Sequence, residues 1–283
     1  MNKVKCMFCL FLFGISFFYA KDLGKHINII DFITNKDKST IISTFTDIDF
    51  KNSINFLDLK DKNYQKKDTN KTIPINKKID NTYNKPIIYI FNTHQKEEYA
   101  KGEYIISPTV MTASYILKDE LKIYKIPSLV EEKDIIKEVQ KRGYDYPGTY
   151  TVSFEYLKQR KKEYPSLEYY FDLHRDSITG KSARTTIKGK KYATMMFLIG
   201  ANHKNYKKNL KNANIMKKYL DKNYKGVARS NFIQKKWAYN QRYSSKMFLV
   251  EIGGPDNTLE EVDNTTKALA EAIKYYMEED YEK

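Results

Sequence analysis

The sequence predicts a three-layer α/β/α sandwich around a sheet that is mostly parallel or mixed. From residue 86 onward, short apolar runs of strand length alternate with segments whose apolar residues lie three or four apart. The run Tyr192–Ile199 is almost continuously apolar, as expected of a strand buried on both faces. About 200 residues are enough for one hydrophobic core. An α/β domain therefore accounts for this part of the chain.

The first part of that domain is predicted to contain one buried strand followed by helices. The strand Ile87–Phe91 is short, apolar and rich in isoleucine. A helix is expected at Val110–Leu121 and a short strand at Leu121–Ile126. Apolar residues recur at helical spacing within Glu131–Lys141, and Tyr150–Tyr164 is expected to be a helix that ends before a proline.

The second part is predicted to add three strands and two helices. Apolar residues in Asn205–Leu220 lie close to one helical face. The last helix begins at Thr258, which can form a capping box with Glu261. The three strands are predicted from apolar runs at Leu167–Leu173, Tyr192–Ile199 and Met247–Ile252.

The first 85 residues differ in composition from this domain. Two lysines precede an uncharged, mostly apolar run from Cys6 to Ala20. This pattern is typical of a signal peptide, although an uncleaved anchor has similar features, and the run is shorter than the roughly 20 residues that span a membrane. The following lysine- and asparagine-rich stretch is too polar to form a core. We therefore predict a targeting segment, a mostly irregular tether and a catalytic domain, at residues 1–20, 21–85 and 86–283.

Charge and cysteine content limit the kinds of partner and site. The chain has 50 Lys+Arg against 35 Asp+Glu, a net charge of +15, which favours anionic partners such as lipid or wall polymer. It has no arginine-rich helix and no zinc-finger spacing, so we do not expect nucleic acid as a partner. Both cysteines lie in the targeting segment, so no disulfide framework is available to the rest of the chain.

Three of the predicted strands contain or lead into side chains that can bind a metal ion or transfer a proton. His94 and Glu97 follow the first strand, His174 follows Leu167–Leu173, and Glu251 interrupts the apolar run of the last strand. Ligands of open α/β sheets bind beyond the carboxyl ends of the strands, so we expect these residues to meet. Any one of them has an ordinary structural explanation, but a carboxylate in an apolar strand is costly without a partner.

The combination is suited to zinc hydrolysis. His94, Glu97 and His174 would supply three ligands for Zn²⁺ and leave one position for water. Glu98 is an alternative to Glu97, which fits better by spacing. Glu251 would act as the general base that takes the water proton and passes it to the leaving amine.

Residues next to His174 are candidates for supporting roles. Asp176 is a candidate to accept the second ring N–H of His174. Arg175 or Arg242 would stabilise the negative oxygen of the tetrahedral intermediate, and the sequence does not choose between them.

Four motifs occur in this chain in the same order as in a known family. They are Asn-Thr-His94-Gln-Lys-Glu97-Glu-Tyr, Asp-Leu-His174-Arg-Asp-Ser, Tyr239-Asn-Gln and Glu251-Ile-Gly-Gly-Pro-Asp-Asn. Over roughly residues 86–278 the chain thereby resembles the stage II sporulation protein P family. The resemblance implies a membrane-tethered, zinc-dependent N-acetylmuramoyl-L-alanine amidase of peptidoglycan, with endopeptidase activity on the stem peptide also ascribed to the family. It also implies action with a lytic transglycosylase and membrane proteins during forespore engulfment.

The resemblance places His94, Glu97 and His174 at the ligand positions and Glu251 at the catalytic position, an order similar to that of zinc carboxypeptidases. Two positions depart from the family pattern. Asn92 stands where a histidine is common, and Arg242 stands where an acidic residue is usual. Neither departure removes a proposed ligand, and both are expected to bear on substrate preference.

The leading hypothesis is an exported zinc amidase at the extracytoplasmic face of the membrane or in the cell wall, either anchored or secreted. One alternative is a metallo-endopeptidase or carboxypeptidase that acts on the stem peptide. A second alternative is a metal-free module that binds the wall. A binding module would have no need of the full set of four residues, which favours an enzyme.

Overall fold

The computed structural model of this protein describes residues 85–104 and 107–281. The predicted targeting segment at 1–20 and the predicted tether at 21–85 lie outside that range except for Lys85. Strands and helices alternate along the described chain, with short 3-10 turns at Gly180–Ala183 and Gln241–Tyr243. The elements are β1 Ile88–Phe91, α1 Val110–Ile123, β2 Ser128–Val130, α2 Ile135–Lys141, α3 Gly148–Glu163, β3 Tyr169–His174, β4 Arg184–Ile187, β5 Lys190–Ala193, β6 Met195–Gly200, α4 Tyr206–Asn223, β7 Phe232–Gln234, β8 Met247–Ile252 and α5 Leu259–Tyr281.

The main sheet is six-stranded and mixed, in the order β2-β1-β3-β8-β6-β7. Neighbours from β2 to β8 are parallel, β6 runs antiparallel to β8, and β7 runs parallel to β6. β4 and β5 form a separate antiparallel hairpin. The predicted α/β class with a mostly parallel or mixed sheet is therefore confirmed.

Helices cover both faces of this sheet because side chains of a strand alternate between its faces. On one face Tyr89 and Phe91 pack in a cluster with Leu157 of α3. On the other face Phe248 meets the ring of Tyr276 from α5 at a centroid distance of 5.4 Å. Helix α5 also packs against α1 and α4. The result is the predicted three-layer sandwich.

The strand predicted at Leu121–Ile126 is wrong. Helix α1 continues to Ile123, with Leu121 on its buried side, and Lys125 then leaves the helical path with a φ of 59°. The amide of Ile126 donates to the carbonyl of Leu121, which closes the helix end. The strand that pairs with β1 begins only at Ser128, so the apolar residues before it belong to a helix face.

The single strand predicted at Tyr192–Ile199 is two strands in two sheets. β5 ends at Ala193 and β6 begins at Met195. Between them the amide of Thr194 donates to Ala183 (2.8 Å), and its carbonyl accepts from Gly253 (2.7 Å). The chain passes from the hairpin into the main sheet at this residue, a break that an apolar run does not reveal.

A buried ion pair ties β2 to α3. The Glu131 side chain is fully buried and accepts hydrogen bonds from Nε and Nη2 of Arg160 at 2.8 and 2.9 Å. It also accepts from the Tyr89 hydroxyl (2.8 Å) and the Lys133 amide (2.9 Å). The carboxylate is therefore well satisfied as long as Arg160 remains in place.

We expect Arg160→Leu to lower the free energy of unfolding by about 3–5 kcal/mol, because it leaves a buried charge without its partner. Urea denaturation measures this loss. As a control, Lys217→Leu removes an exposed ion pair to Asp221 and should change stability by less than about 1 kcal/mol. Equal effects of the two variants would contradict the assignment of Glu131 as a charge that depends on Arg160.

No helix within residues 85–104 and 107–281 combines the length and the apolar character required to cross a membrane.

Candidate metal centre

The candidate site lies at the carboxyl ends of three neighbouring parallel strands. β1 ends at Phe91 and leads into the loop that carries His94 and Glu97. β3 ends at His174, and β8 places Glu251 directly beside His174 in the sheet register. Because β1, β3 and β8 are adjacent and parallel, their ends share one edge of the sheet. The structure thus brings together the residues that the sequence places on separate strands.

Glu97 lies between the two imidazole rings. Its Oε1 is 3.2 Å from Nδ1 of His94, and its Oε2 is 3.6 Å from Nδ1 of His174. The ring centroids of the two histidines are 4.9 Å apart and nearly perpendicular. One ligand atom from each of these three residues lies within 4.8 Å of the other two. Glu98, the alternative to Glu97, is exposed.

The donor set fits a zinc ion. Two imidazole nitrogens and one carboxylate oxygen are ligands that Zn²⁺ takes in catalytic sites. Burial favours the neutral form of Glu97, but contacts with His174 and His94 outweigh burial and hold its pKa at about 2. Burial also opposes a charge on His174, yet the nearby Asp172 and Glu97 raise its pKa well above the usual value. The carboxylates of Asp172 and Glu97 therefore favour a positive charge at the His174 ring. A bound cation would supply that charge.

Glu251 borders this cluster without belonging to it. Its Oε2 is buried and makes no hydrogen bond within the described chain. Burial raises its pKa to about 7, a rise that the charge on His174 partly opposes and the acidic groups around it reinforce. A carboxyl group with this pKa is suited to accept a proton near neutral pH.

Asp172 is a site residue that the sequence analysis missed. It is fully buried, and its two oxygens accept from the amide (2.8 Å) and the hydroxyl (2.7 Å) of Thr93. Its Oδ1 also lies 3.0 Å from Nε2 of His174, although the angle is not that of a full hydrogen bond. Residues two apart in a strand share a face, so the spacing of Asp172 and His174 was the signal.

The expectation that Asp176 supports His174 is wrong. Its carboxylate instead pairs with Arg229, at 2.5 Å from Nη2. The backbone amide of Asp176 donates to Gly253 at 3.0 Å. Asp176 therefore helps to fix the loop after β3, while Asp172 faces the ligand ring.

The structure separates the two arginines between which the sequence did not choose. The amide of Arg175 donates to Oε2 of Glu97 (2.8 Å), and its guanidinium donates to the carbonyl of Asp176 (3.1 Å). Arg242 is exposed and lies over the ring of Phe154, 5.5 Å from its centroid. Arg175 is thus the one beside the cluster.

Asn92, where the family often has histidine, has a structural role here. Its side chain is fully buried and donates to the carbonyl of Leu173 at 2.7 Å, while its oxygen accepts from the Ser114 hydroxyl at 2.8 Å. These bonds join β1 to β3 and α1. An effect of Asn92 on substrate preference stays a prediction, and it would act through the positions of these elements.

Three tyrosines form what we call the aromatic wall, in which the first two contact the histidine rings and the third contacts the second: Tyr146, Tyr150 and Tyr239. Tyr146 stacks on His94 with centroids 4.5 Å apart. Tyr150 meets His94 edge-on at 5.4 Å and lies parallel to His174 at 6.4 Å. Tyr239 meets Tyr150 at 5.4 Å. The wall is thus continuous with the proposed metal ligands.

The turn that carries Tyr239 has an unusual backbone. Tyr239 and the next residue, Asn240, both have positive φ, 46° and 62°. Asparagine tolerates this region, but a bulky side chain there is rare and costs on the order of 1–2 kcal/mol. The side-chain amide of Asn240 donates to the carbonyl of Tyr150 (3.0 Å) and to Oγ of Ser153 (3.2 Å), which holds the turn against α3.

The solved structures that are similar to this chain over about two thirds of its length include two amidases of low sequence identity. The CwlD amidase of Clostridioides difficile, solved in complex with the GerS lipoprotein, has a TM-score of 0.45 and 11% identity, covering 69% of this chain and 98% of that one. AmiC2 of Nostoc punctiforme has a TM-score of 0.41 and 10% identity, covering 68% and 97%. The fold described above follows from the sheet order of this chain and not from these similarities.

Similarity in sequence is more specific. Stage II sporulation protein P of Bacillus subtilis (strain 168) is 31% identical over an alignment of 207 residues that covers 68% of this chain and 51% of that protein. The chain thus spans about half the length of this curated relative. The family model of stage II sporulation protein P matches residues 18–274. Because that match extends over most of the sequence, this chain belongs to the stage II sporulation protein P family.

Proposed function

We propose that this protein is an exported zinc-dependent peptidoglycan hydrolase that cleaves the amide bond between N-acetylmuramic acid and L-alanine. The observation that carries the proposal is the geometry of His94, Glu97 and His174, whose ligand atoms lie within 4.8 Å of one another beside Glu251. Family membership supports peptidoglycan as the substrate and sporulation as the setting.

The chain's own residues divide the chemistry between binding and proton transfer. A zinc ion held by His94, Glu97 and His174 would supply a water of lowered pKa and a Lewis acid for the scissile carbonyl. Glu251 takes the proton of the attacking water as the C–O bond forms. It then gives that proton to the amide nitrogen as the C–N bond breaks, which releases a free amine and a carboxylate. Arg175 stabilises the negative charge on the former carbonyl oxygen.

We further propose that the protein acts at the extracytoplasmic face of the membrane or in the cell wall, either anchored by residues 1–20 or secreted. Its net charge of +15 would hold it near anionic wall polymers. The family resemblance supports a lytic transglycosylase and membrane proteins of the engulfment machinery as partners.

Mass spectrometry of muropeptides tests the proposed bond. The purified protein is expected to contain about one zinc per chain, as a three-ligand site requires, and to release intact stem peptides from peptidoglycan. A chelator should stop the release, and added zinc should restore it.

Other products would redirect the proposal. Shortened stem peptides that remain on the glycan would identify an endopeptidase or carboxypeptidase. A protein that binds peptidoglycan, but does not bind zinc and does not cleave any bond of the substrate, would be a wall-binding module. The enzyme hypothesis would then be rejected.

A further inference from the structure

The motif Tyr239-Asn240-Gln241 supplies none of the three clustered ligands, yet the chain adopts a strained backbone to form it. A residue with positive φ persists only where the surrounding structure holds it, and such residues concentrate at functional sites. Tyr239 is only partly buried, so burial of its ring does not explain the strain. What the turn determines is the position of this ring, whose centroid lies 5.4 Å from that of Tyr150.

Several independent contacts fix that position. Gln241 donates to the carbonyl of Leu198 at 2.7 Å and accepts from the amide of Gly200 at 3.2 Å. A Cβ atom on Gly200 would lie 2.6 Å from the backbone of Ala238, so glycine is required for the turn to approach β6 this closely. With the two bonds of Asn240 to α3, the turn is anchored to a strand on one side and a helix on the other.

The turn completes the aromatic wall. Tyr239 contacts Tyr150, which in turn contacts both histidine ligands, and Tyr146 covers His94 from a position that leaves 59% of its own surface exposed. The wall therefore begins at the proposed metal ligands and reaches solvent. An accessible aromatic surface with a few polar groups is the usual lining of a site for a small organic ligand.

The chemistry of the wall distinguishes between the two halves of the proposed substrate. A sugar ring presents C–H groups on its faces and hydroxyls at its edge, which match the face and the phenol of a tyrosine. The stem peptide carries carboxylates, which match guanidinium groups. Arg175 and Arg229 both contact Asp176 in the loop after β3, and each has a buried Nε without a hydrogen bond among the described residues.

We propose that the aromatic wall is a saccharide subsite, in which Tyr239 and Tyr150 bind the sugar ring on the acyl side of the scissile amide. The inference rests on the proposed function, since it names the part of the substrate that this surface holds. The strained turn keeps the Tyr239 ring in the binding orientation before the substrate arrives. Tyr239 is in this sense a substrate-binding residue.

Binding of a peptide-free disaccharide, N-acetylglucosaminyl-N-acetylmuramic acid, tests the subsite without any turnover. In titrations of the zinc-loaded protein, Tyr239→Ala should weaken binding at least about tenfold, which corresponds to ~1.4 kcal/mol. Tyr239→Phe should retain most of the affinity because it keeps the ring. Tyr281→Ala, which removes an exposed tyrosine at the end of α5, should have no effect.

A second comparison examines the strain itself. Tyr239→Gly and Tyr239→Ala both remove the ring, but only glycine adopts positive φ without strain. Both variants should bind the disaccharide at least about tenfold more weakly than the wild type, and the glycine variant should unfold at a higher temperature than the alanine variant. If alanine is at least as stable as glycine at this position, the backbone is not strained and the inference loses its basis.

The two proposals fail in different ways. If Tyr239→Ala binds the disaccharide as tightly as the wild-type protein, or if the wild type does not bind it at millimolar concentrations, the subsite is wrong even when stem peptides are released. If no peptide is released but the disaccharide binds in a Tyr239-dependent manner, the subsite stands and the proposed hydrolysis is wrong.

Discussion

Replacement of Glu251 by glutamine is expected to abolish peptidoglycan hydrolysis while zinc remains bound. Glutamine has almost the same size and shape but cannot accept the water proton. Loss of a general base typically lowers the rate by about 10²–10⁴-fold. Because Glu251 is not one of the three clustered ligands, the zinc content of the variant should equal that of the wild-type protein. Release of stem peptides and zinc content, measured on the same sample, give both quantities.

Glu120 supplies a matched control. Burial raises its pKa to about 7 as well, but it lies on α1 and faces Lys267 of α5 at 4.0 Å. Glu120→Gln should therefore keep full activity. If Glu251→Gln retains more than a tenth of the wild-type rate, Glu251 is not the base. Loss of zinc from that variant would instead make Glu251 a fourth ligand.

The second large effect is expected at Asp172. Its carboxylate lies 3.0 Å from Nε2 of His174 and would orient that ring with Nδ1 toward the metal. Removal of such a carboxylate commonly weakens metal binding 10–100-fold. Asp172→Asn should show a loss of this size in competition with a chelator of known affinity. The fold should survive, since an asparagine side chain can still hydrogen-bond to the amide and hydroxyl of Thr93.

Glu131→Gln separates this role from a general effect of buried carboxylates. Glu131 is also fully buried, but it pairs with Arg160 and lies outside the ligand cluster. The variant should lose stability and keep the zinc affinity of the wild type. Unchanged zinc affinity in a folded Asp172→Asn variant would show that Asp172 serves only to hold Thr93. The tautomer of His174, read from its ring nitrogens by NMR, gives an independent measure of the same contact.

The candidate cluster could be predicted from the sequence because neighbouring parallel strands end at the same edge of a sheet. Once Ile87–Phe91, Leu167–Leu173 and Met247–Ile252 are recognised as buried strands of one sheet, their carboxyl ends must share an edge. His94, His174 and Glu251 then meet whatever the details of the loops. The strands that were missed, β2, β4 and β7, are three or four residues long and most of their residues are not buried, so they produce no apolar run.

The remaining parts of the site depend on information that a linear pattern does not contain. Asp172 lies within an apolar strand, and only the face that it shares with His174 gives it a role. The positive φ of Tyr239 depends on Gly200, Asn240 and Gln241, whose contacts are made with other parts of the fold. Tyr150 reaches the histidines because α3 packs on that face of the sheet. Each of these is a long-range effect.

Because β8 lies in the middle of the sheet, the candidate site forms only when the sheet itself is completed. β8 is the last strand in the described chain, yet it lies between β3 and β6 in the middle of the sheet. Pairing over such sequence distances is slow, because the loops must close before the contacts form. A chain that lacks its last fifty residues has no centre for its sheet and no Glu251 beside His174. The chain must therefore be synthesised at least through β8 before it can bring Glu251 to the proposed metal ligands.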